Sequence, residues 1–377
     1  MTARPFPIGT IARLPVVADI AALTQASRGC LELAPGGPEA CETYPAFRQG
    51  AEVTPPKAFR RDRPPLRIGV VSGTVILGGG AVLDPETGGL LVESMAAASE
   101  GTLGRPDRLR QPLQFLGLRP EGGRAVPERP WKAARGRIEG PVFHLTYRTD
   151  PNYSHFMTEL LPKLYYWQLL PEPRPRLLLS EEVAGRLLPL LGLYGIEPRH
   201  VVTVPAVRQP PVIADRVYVA NAPMLLHAPV LAAVRGAAGG PAAGPRRLHV
   251  LRRGPKAWFR RLLNEDRVGG LLGARGFVPV VLEDLSLPDQ VALFRGAECV
   301  AGVYGGGLFN TVFSPPSLRL LSLTSAEYHR AVLDSMPGRP QGATVVGEAF
   351  STKVDGNNAP FVVDLRAVEA ACDLLRF

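Results

Sequence analysis

The feature that most constrains the fold is an alternation of short apolar runs with helical segments, which begins near residue 140. RLLLS is followed by EEVAGRLLPLLGLYG, and ECVAGV is followed by the turn YGGG and the short helical segment LFNTVFS. Repeated strand–helix units of this kind are typical of parallel, doubly wound sheets. The sequence therefore predicts the α/β fold class.

The alternation is interrupted at residues 222–245, which end in AAGGPAAGP. A segment rich in Ala, Gly and Pro is typical of a linker between domains. The chain has 377 residues, more than one ordinary hydrophobic core accommodates. We therefore predict two Rossmann-like domains that face a cleft.

Three regions follow from the pattern along the chain. Residues 1–64 are rich in Pro and Gly and lack a clear period, which predicts an irregular N-terminal extension. Residues 65–240 hold a small β-rich element within LRIGVVSGTVILGGGAVLDPETGGLLVES, followed by the first α/β domain. Residues 241–377 hold the second α/β domain and a C-terminal amphipathic helix.

The composition limits the classes of binding partner and the cellular compartment that we expect. The formal charge is +9, and seven basic residues without an acid lie between Arg246 and Arg261. Such a cluster suits a nucleic acid, a phosphorylated small molecule or an anionic membrane surface, or else it forms a solvated basic face. Scattered cysteines favour a reducing compartment, and we predict neither a signal peptide nor a membrane span, so a cytoplasmic location is expected.

The stretch AGVYGGGLFN, residues 301–310, is the first candidate binding element. An apolar strand runs through Tyr304 into the glycines Gly305, Gly306 and Gly307 and then into a helix. Ligands of open α/β sheets lie at the carboxyl ends of strands, where glycines let backbone N–H groups approach an anion. The alternative is a tight strand–helix turn without a ligand.

The stretch LHVLRRGPKAWFRRLLNE is the second candidate. Arg252 and Arg253 follow a predicted strand, which places them at the same sheet edge as the glycine turn. Arg260 and Arg261 are predicted to open the next helix. Guanidinium groups match phosphate oxygens in bidentate geometry, and cations at a helix start are unfavourable unless an anion binds there.

The third candidate is a pair of titratable residues, His155 and Glu159, in the predicted helix YSHFMTELLPKLYYWQLL. Asn152 is its predicted N-cap, and Pro162 predicts a kink. Residues four apart share a helix face, where a carboxylate can orient an imidazole as a general base for a hydroxyl. A purely structural His–Glu pair, or a histidine buried among aromatic residues, is the alternative.

Several common catalytic patterns are absent from the sequence. Neither H-E-x-x-H nor D-x-D occurs, which disfavours a metal site. Neither G-x-S-x-G, a Walker A sequence nor G-x-G-x-x-G at the start of a Rossmann helix occurs, which disfavours hydrolase, P-loop and dehydrogenase functions.

These blocks, in this order, resemble glycosyltransferase family 61. NYSHFMTELLPKL is similar to the family's Asn-Tyr-x-His … Leu-Pro-Arg-Leu block, and RRLLNEDRV to its Arg-Arg-x-Leu-Asn-Glu segment. The stretch from GFVPVVLEDL to GGGLFNTVFSPP resembles the closing block, which typically contains Gly-x-His-Gly-Ala-Gly-Leu-x-Asn. The likeness runs from about residue 66 to 325.

The resemblance implies a GT-B architecture and an inverting transfer of a hexose or pentose from a nucleotide sugar, without a metal or other cofactor. The acceptor is expected to be a glycan or a lipid-linked molecule in surface polysaccharide biosynthesis, and no nucleic acid partner is expected. Residues 65–240 would form the acceptor side and residues 241–377 the nucleotide-sugar side. A peripheral contact with the inner face of an anionic membrane is compatible with the basic charge.

The resemblance also implies roles for the candidate residues. His155 would be the base, with Glu159 as its orienting carboxylate, and Asn152 and Tyr153 would lie on the acceptor side. The donor-binding residues would be Arg252, Arg253, Arg260, Tyr304, Gly305, Gly306, Gly307 and Asn310, which would offset the charge of the leaving diphosphate.

The chain departs from the family at three positions. Tyr304 stands where the family has His, Gly306 where it has Ala, and Leu251 where it has Ser. Tyrosine can donate a hydrogen bond but carries no positive charge. A catalytically weak or inactive relative that binds sugar nucleotides or glycans is therefore the alternative function.

Overall fold

The chain folds into two compact units. The computed structural model describes residues 6–49, 53–95, 106–121, 124–128, 133–146, 152–204, 209–223, 227–237, 242–253, 259–326, 341–350 and 358–377. Unit 1 comprises Met1–Gly37 and Arg63–Leu225, and unit 2 comprises Pro38–Asp62 and Leu226–Phe377.

The strands of the described residues are numbered in chain order. They are β1 (Phe6–Gly9), β2 (Arg28–Ala34), β3 (Gly37–Glu42), β4 (Ala46–Phe47), β5 (Val53–Thr54), β6 (Ala58–Arg63), β7 (Leu66–Ile76), β8 (Leu90–Leu91), β9 (Leu118–Glu121), β10 (Arg124–Pro127), β11 (Arg137–His144), β12 (Arg176–Leu179), β13 (Val201–Thr203), β14 (Val212–Ala220), β15 (Arg247–Leu251), β16 (Val278–Val281), β17 (Cys299–Val303), β18 (Arg319–Ser325), β19 (Gln341–Ala349) and β20 (Phe361–Val362).

The α-helices of the described residues are α1 (Ile20–Gln25), α2 (Pro106–Phe115), α3 (Tyr153–His155), α4 (Leu164–Leu169), α5 (Glu181–Gly192), α6 (Ala228–Ala237), α7 (Glu265–Ala274), α8 (Leu287–Gly296) and α9 (Leu365–Leu374). Helical turns of other geometry are the 3₁₀ segments Ile11–Arg13, Val92–Ser94, Leu161–Lys163, Pro198–His200, Leu282–Asp284 and Gly306–Phe313, and the π segment Phe156–Leu160.

Unit 1 is built on a six-stranded sheet in the order β13-β12-β11-β14-β7-β2. Strands β11 to β14 run parallel, whereas β7 pairs antiparallel with β14, and β2 with β7. Val71, Val142, Leu178 and Val217 pack in its core. The parallel strands end at one edge, and α3 follows the end of β11 along the chain.

Unit 2 is built on a sheet in the order β16-β15-β17-β18-β19-β4-β5, with β20 beside β19. The strands from β16 to β4 are parallel, whereas β5 and β20 run antiparallel to their neighbours. Leu272 of α7 and Val368 of α9 pack in one core with Ala301, Leu321 and Ala343 of the strands.

The N-terminal region contains regular structure where the sequence predicted an irregular extension. Strands β1 to β6 lie within residues 6–63, and β4 pairs parallel with β19 of unit 2. Segment Pro38–Asp62 therefore belongs to unit 2 although it precedes most of unit 1 in sequence. These strands were not predicted because they are short, and a two-residue strand has no hydrophobic periodicity to detect.

Two further segments differ from their predicted roles. Strand β7 is a central strand of the main sheet of unit 1, whereas the sequence suggested a smaller β-rich element. Residues 222–245, predicted to be a linker, contain the boundary between the units after Leu225, but they also include α6, whose Val230 and Val234 are buried in unit 2. Alanine is the strongest helix former, so an Ala-rich segment with valines at helical spacing forms a packed helix.

Other predicted elements are confirmed. Apolar runs form β11, β12, β13 and β15 to β18, and EEVAGRLLPLLGLYG forms α5. The GGG stretch at Gly78–Gly80 forms a turn, in which the N–H of Gly80 donates to the carbonyl of Leu77 at 2.9 Å.

The four cysteines, all within the described residues, form no disulfide. No helix among the described residues is long and apolar enough to cross a membrane.

Candidate functional site

In unit 1, the segment that carries His155 changes helical geometry three times. Asn152 caps α3 by accepting a hydrogen bond from the N–H of Ser154 at 3.0 Å, as predicted. The π segment Phe156–Leu160 follows, then the 3₁₀ turn Leu161–Lys163, and then α4. Short π segments inside helices often occur at functional sites.

Pro162 explains the change of geometry. It has no N–H to donate, and in a regular helix its ring would clash with the carbonyl four residues earlier, that of Thr158. The chain widens before it, and the N–H of Leu161 donates to the carbonyl of Phe156, five residues back. The predicted kink at Pro162 is therefore present as a π segment followed by a 3₁₀ turn.

His155 and Glu159 are brought together on this segment. Nδ1 of His155 lies 2.5 Å from Oε1 of Glu159. The His155 side chain is 42% exposed, whereas that of Glu159 is 10% exposed. His155 is therefore not the buried histidine that was one structural alternative. In this contact Nδ1–H of the ring donates to the carboxylate of Glu159.

The segment is anchored to the sheet of unit 1. Tyr166 is fully buried, and its hydroxyl donates to Oδ1 of Asn221, which follows β14, at 2.8 Å. Nε1 of Trp167 donates to the carbonyl of Pro175 at 2.7 Å. The first bond ties the helix to the residue that follows β14, and the second ties it to the residue that precedes β12.

One titratable residue of this segment was missed by the sequence reasoning. Lys163 is 0% exposed, and its Nζ donates to the carbonyl of Glu93 at 3.3 Å. Burial lowers the pKa of Lys163 to about 7, while the negative charges of Glu93 and Glu159 act in the opposite direction. The spacing of four residues after Glu159 was a signal that could have identified it.

In unit 2, the arginine block and the glycine turn meet at one sheet edge. Arg252 follows β15 and Tyr304 follows β17, and these neighbouring strands are parallel. The predicted placement of the two blocks at the same edge is therefore confirmed. A strand–turn–helix edge of this kind is where open α/β sheets bind ligands.

Gly305 allows two guanidinium groups to approach the turn. A Cβ atom at this position would lie 3.1 Å from Nη1 of Arg252 and 3.8 Å from Nη2 of Arg260. Nη1 of Arg260 also donates to the carbonyl of Tyr304 at 3.2 Å. Two cations thus converge where the backbone carries no side chain, which is an arrangement suited to an anion.

Arg260 and Arg261 do not open a helix, contrary to the sequence prediction, because α7 begins at Glu265. Arg260 has a φ of 54°, uncommon for a residue with a side chain. Its N–H donates to the carbonyl of Asn358 at 2.8 Å, and the carbonyl of Arg261 accepts from the N–H of Phe361 at 2.9 Å. This pairing across the sequence overrides helix propensity and turns Arg260 towards Tyr304.

Arg253 and Asn310 do not join the cluster of arginines at Gly305. Nη1 of Arg253 donates to Oε2 of Glu265 at 2.5 Å. Asn310 is 0% exposed, and its Nδ2 donates to Oε1 of Gln290 at 3.1 Å, which ties the 3₁₀ segment to α8. In this structure Asn310 is part of the packing beneath the glycine turn.

The other residues of the turn pack closely. Gly306 is the first residue of the 3₁₀ segment, and a Cβ at Gly307 would lie 2.9 Å from Cδ1 of Leu282. Tyr304 is 5% exposed, and its ring contacts that of Phe309 edge to face at 6.2 Å. Tyr304 is therefore a buried side chain that packs against Phe309 at the turn.

Arg61 of β6 is a second residue that the sequence did not indicate. It belongs to unit 2 and lies within electrostatic reach of the Tyr304 phenol. Burial lowers the pKa of Arg61, while nearby groups, Tyr304 among them, act in the opposite direction. No motif marks it, because it is far from the arginine block in sequence.

A comparison with protein families relates part of the chain to a known family. Residues 153–321 match the family described as Glycosyltransferase 61. This segment is similar to glycosyltransferase family 61. No curated protein matches the chain.

The family 61 segment contains both sets of candidate residues. It begins at Tyr153 and includes the His155–Glu159 pair, Arg252, Arg260 and the glycine turn, while Asn152 immediately precedes it. The matching family is one of glycosyltransferases, so glycosyl transfer is the class of activity indicated for this part of the chain. The described residues hold no group of three or more His, Cys, Asp or Glu side chains that could bind a metal ion.

Proposed function

We propose that this family 61 glycosyltransferase is an inverting enzyme that moves a sugar from a nucleotide-sugar donor to a glycan or lipid-linked acceptor in surface polysaccharide biosynthesis. The observation that carries the proposal is the contact between His155 and Glu159 inside the family segment. It supplies a histidine with a fixed tautomer and an exposed face, which a general base requires.

The proposed step is a single displacement. Nε2 of His155 takes the proton of the acceptor hydroxyl while that oxygen attacks the anomeric carbon of the donor sugar. The bond from this carbon to the diphosphate breaks, and the nucleoside diphosphate leaves with the electron pair. Glu159 stabilises the imidazolium that forms, as an oriented carboxylate does in other His-dependent enzymes.

We assign the leaving diphosphate to the arginines at Gly305. Arg252 and Arg260 would bind its oxygens and offset the charge that develops as the bond breaks. The proposal needs no metal ion, because two guanidinium groups supply positive charge at that place. Arg253 would contribute less, since Glu265 already binds its guanidinium group.

The proposal also includes an architecture and a cellular location. Each unit contains a parallel set of strands followed by helices, which supports a GT-B architecture with the acceptor in unit 1 and the donor in unit 2. The scattered cysteines and the basic charge support a cytoplasmic enzyme that contacts an anionic membrane at its surface.

A thermal-shift screen against UDP, GDP, CMP, dTDP and their common sugars, with and without magnesium, tests donor binding. A nucleotide at a hundred times its dissociation constant stabilises the native state by about 2.7 kcal/mol, which gives a readable shift. We expect one nucleotide class to stabilise the protein equally with and without magnesium. A shift that requires magnesium would contradict the metal-free mechanism, and no shift with any nucleotide would contradict the donor site.

A second candidate function is favoured by Tyr304, which stands where the family has His and cannot carry a positive charge. In that case the protein binds sugar nucleotides or glycans without turnover. We expect the wild type to transfer sugar from the donor identified by the screen, and Tyr304→His to change the rate only modestly. An inactive wild type with an active Tyr304→His variant would establish the binding function instead.

A further inference from the structure

Ser325, the last residue of β18, has a buried hydroxyl group that no described residue binds. The residue is 2% exposed, and its Oγ has no hydrogen-bond partner within the described ranges. A buried polar group without a partner is destabilising, and the large majority of such groups in proteins are paired. An alanine would be buried here without that penalty, so packing alone does not account for a serine.

Ser325 comes at the same sheet edge as the glycine turn. Strands β17 and β18 are parallel, and their last paired residues are Val303 and Leu323. The N–H of Tyr304 donates to the carbonyl of Leu323 at 2.8 Å, which continues the pairing by one bond. Gly305 and Ser325 each follow the last pair by two residues, at an edge where neighbouring strands lie about 4.8 Å apart. The hydroxyl is therefore next to the turn on which the two arginines converge.

The side chain of Ser325 lies on the face of the sheet over which the Arg260 segment runs. Side chains two apart along a strand share a face, so Ser325 is on the face of Leu323. Leu323 packs in one core cluster with Leu262 and Phe361, which also pair with each other through the main chain. Because Arg260 precedes Leu262 by only two residues, the chain that carries this arginine passes over the same face.

The two neighbours of Ser325 differ in what lies above them. On one side Ser325 pairs with Gly347 of β19, where a Cβ would overlap the carbonyl oxygen of Val362 and lie 2.9 Å from Cδ2 of Phe361. On the other side is Gly305, where the atoms nearest to a Cβ would belong to the guanidinium groups of the two arginines. The hydroxyl thus has tightly packed chain on one side and positive charge on the other.

We propose that Ser325 is a further residue of the diphosphate site, and that its hydroxyl donates a hydrogen bond to a phosphate oxygen bound by Arg252 and Arg260 at Gly305. The inference rests on the proposed function, because that function places a diphosphate at this turn. It goes beyond it by adding a binding residue from β18, a strand to which no candidate motif was assigned.

A hydroxyl group suits this role beside two cations. A phosphate oxygen carries negative charge, and a hydrogen bond to a charged acceptor is roughly twice as strong as one between neutral groups. The phosphate oxygen would supply the partner that the described residues do not give to Ser325. The arginine side chains above Gly305 are long and flexible, so their ends can withdraw to admit the phosphate while they remain bound to its oxygens.

Isothermal titration calorimetry of the full chain with inorganic pyrophosphate, without magnesium, tests the inference. Pyrophosphate carries the diphosphate group but neither nucleoside nor sugar. We expect Ser325→Ala to weaken its binding by about 10–150-fold, the loss that corresponds to one hydrogen bond to a charged group. Because this variant removes only an unpaired buried hydroxyl, its Tm should not fall. Ser325→Cys fills the same space with a weak donor and should also weaken binding.

Ser322 offers a matched control on the same strand. It is 3% exposed, and its Oγ also has no hydrogen-bond partner in the part of the chain that the structure describes. It precedes Ser325 by three residues, so its side chain lies on the opposite face of the sheet. Ser322→Ala should therefore bind pyrophosphate as the wild type does. Wild-type affinity in Ser325→Ala would overturn the inference, and so would an equal loss of affinity in Ser322→Ala.

Arg252→Ala distinguishes a failure of this inference from a failure of the proposed donor site. If Arg252→Ala weakens pyrophosphate binding and Ser325→Ala does not, the diphosphate site stands but Ser325 is not part of it. If the wild type does not bind pyrophosphate, the site and the inference both fail. The titration needs neither acceptor nor turnover, so binding that depends on Ser325 supports the inference even if no transferase activity is found.

Discussion

Nδ1 of His155 and Oε1 of Glu159 lie 2.5 Å apart, and in this contact the ring N–H donates to the carboxylate. Glu159 is largely buried and His155 is partly exposed, so the pair has an anchored end and an accessible end. A surface ion pair that only stabilised a helix would not need the second residue to be buried.

Replacing His155 with Asn should therefore reduce turnover by about 10²–10⁴-fold, because proton transfer by a positioned base contributes about that much. Steady-state kinetics with the donor found by the screen would measure the loss. His200→Asn is the matched control, since His200 lies at the surface of unit 1 and its Nδ1 accepts from the N–H of Glu197. Normal turnover in His155→Asn would show that the pair has only a structural role.

Arg252→Ala and Arg260→Ala should each weaken binding of the nucleoside diphosphate by about 10–150-fold. A hydrogen bond to a charged group contributes about 1.5–3 kcal/mol, and each 1.4 kcal/mol is about tenfold in affinity. Isothermal titration calorimetry would measure the change. Arg253→Ala is the control, because Glu265 holds that guanidinium group, and an equal or larger loss in Arg253→Ala would place the diphosphate elsewhere.

Gly305→Ala should impair donor binding with little loss of stability. The new Cβ would displace the end of the Arg252 side chain, which is flexible and can move away. Gly302→Ala is the contrasting variant, since its Cβ would lie 2.9 Å from the main-chain carbonyl of Val250. That overpacking should cost about 1–3 kcal/mol and lower Tm by several degrees. Calorimetric melting and donor titration of both variants would measure stability and binding. Normal donor binding by Gly305→Ala would contradict the prediction.

Acid should destabilise unit 1 through His144. Burial lowers its pKa to about 3 from an ordinary 6.5, so between these values the unfolded chain binds the additional proton. The free energy of unfolding therefore falls as pH drops from about 6.5 towards 3, with about 2 kcal/mol lost at pH 5 relative to pH 7.

Urea unfolding of the wild type and His144→Gln at pH 7 and pH 5 measures this effect. The glutamine keeps an N–H for the Gly80 carbonyl but does not titrate, so the variant should lose about 2 kcal/mol less on acidification. His249 of unit 2, whose pKa burial lowers to about 4, adds a separate acid-sensitive contribution that His249→Gln would remove. Equal losses in His144→Gln and the wild type would contradict the assignment.

Some parts of the site were predictable because their signals are local. The spacing of His155 and Glu159 placed them on one face, Asn152 was identified as a cap, and Pro162 marked the change of helix geometry. Parallel strands before Arg252 and Tyr304 predicted a shared edge, and the structure confirms it. The motif blocks predicted the family, and the match over residues 153–321 confirms it.

Other features depended on contacts between distant residues. Arg260 was predicted to open a helix, but pairing with residues 358–361 gives it a left-handed backbone and directs it towards Tyr304. Asn310 was predicted to bind the donor, and its hydrogen bond to Gln290 lies in a fully buried position. Such partners are invisible to propensity and periodicity, which concern only near neighbours.

The sequence by itself determined the α/β elements, the capped and kinked helix, the chemistry of the candidate residues and the family. Each depends on backbone preferences or side-chain types within a few residues of one another. Only the tertiary structure decided that segment Pro38–Asp62 joins unit 2, that Arg252 and Arg260 converge on Gly305, and that Lys163 is buried beside Glu93, 70 residues away. Those outcomes depend on burial and hydrogen bonding between segments far apart in the chain, which exist only once the sheets have formed.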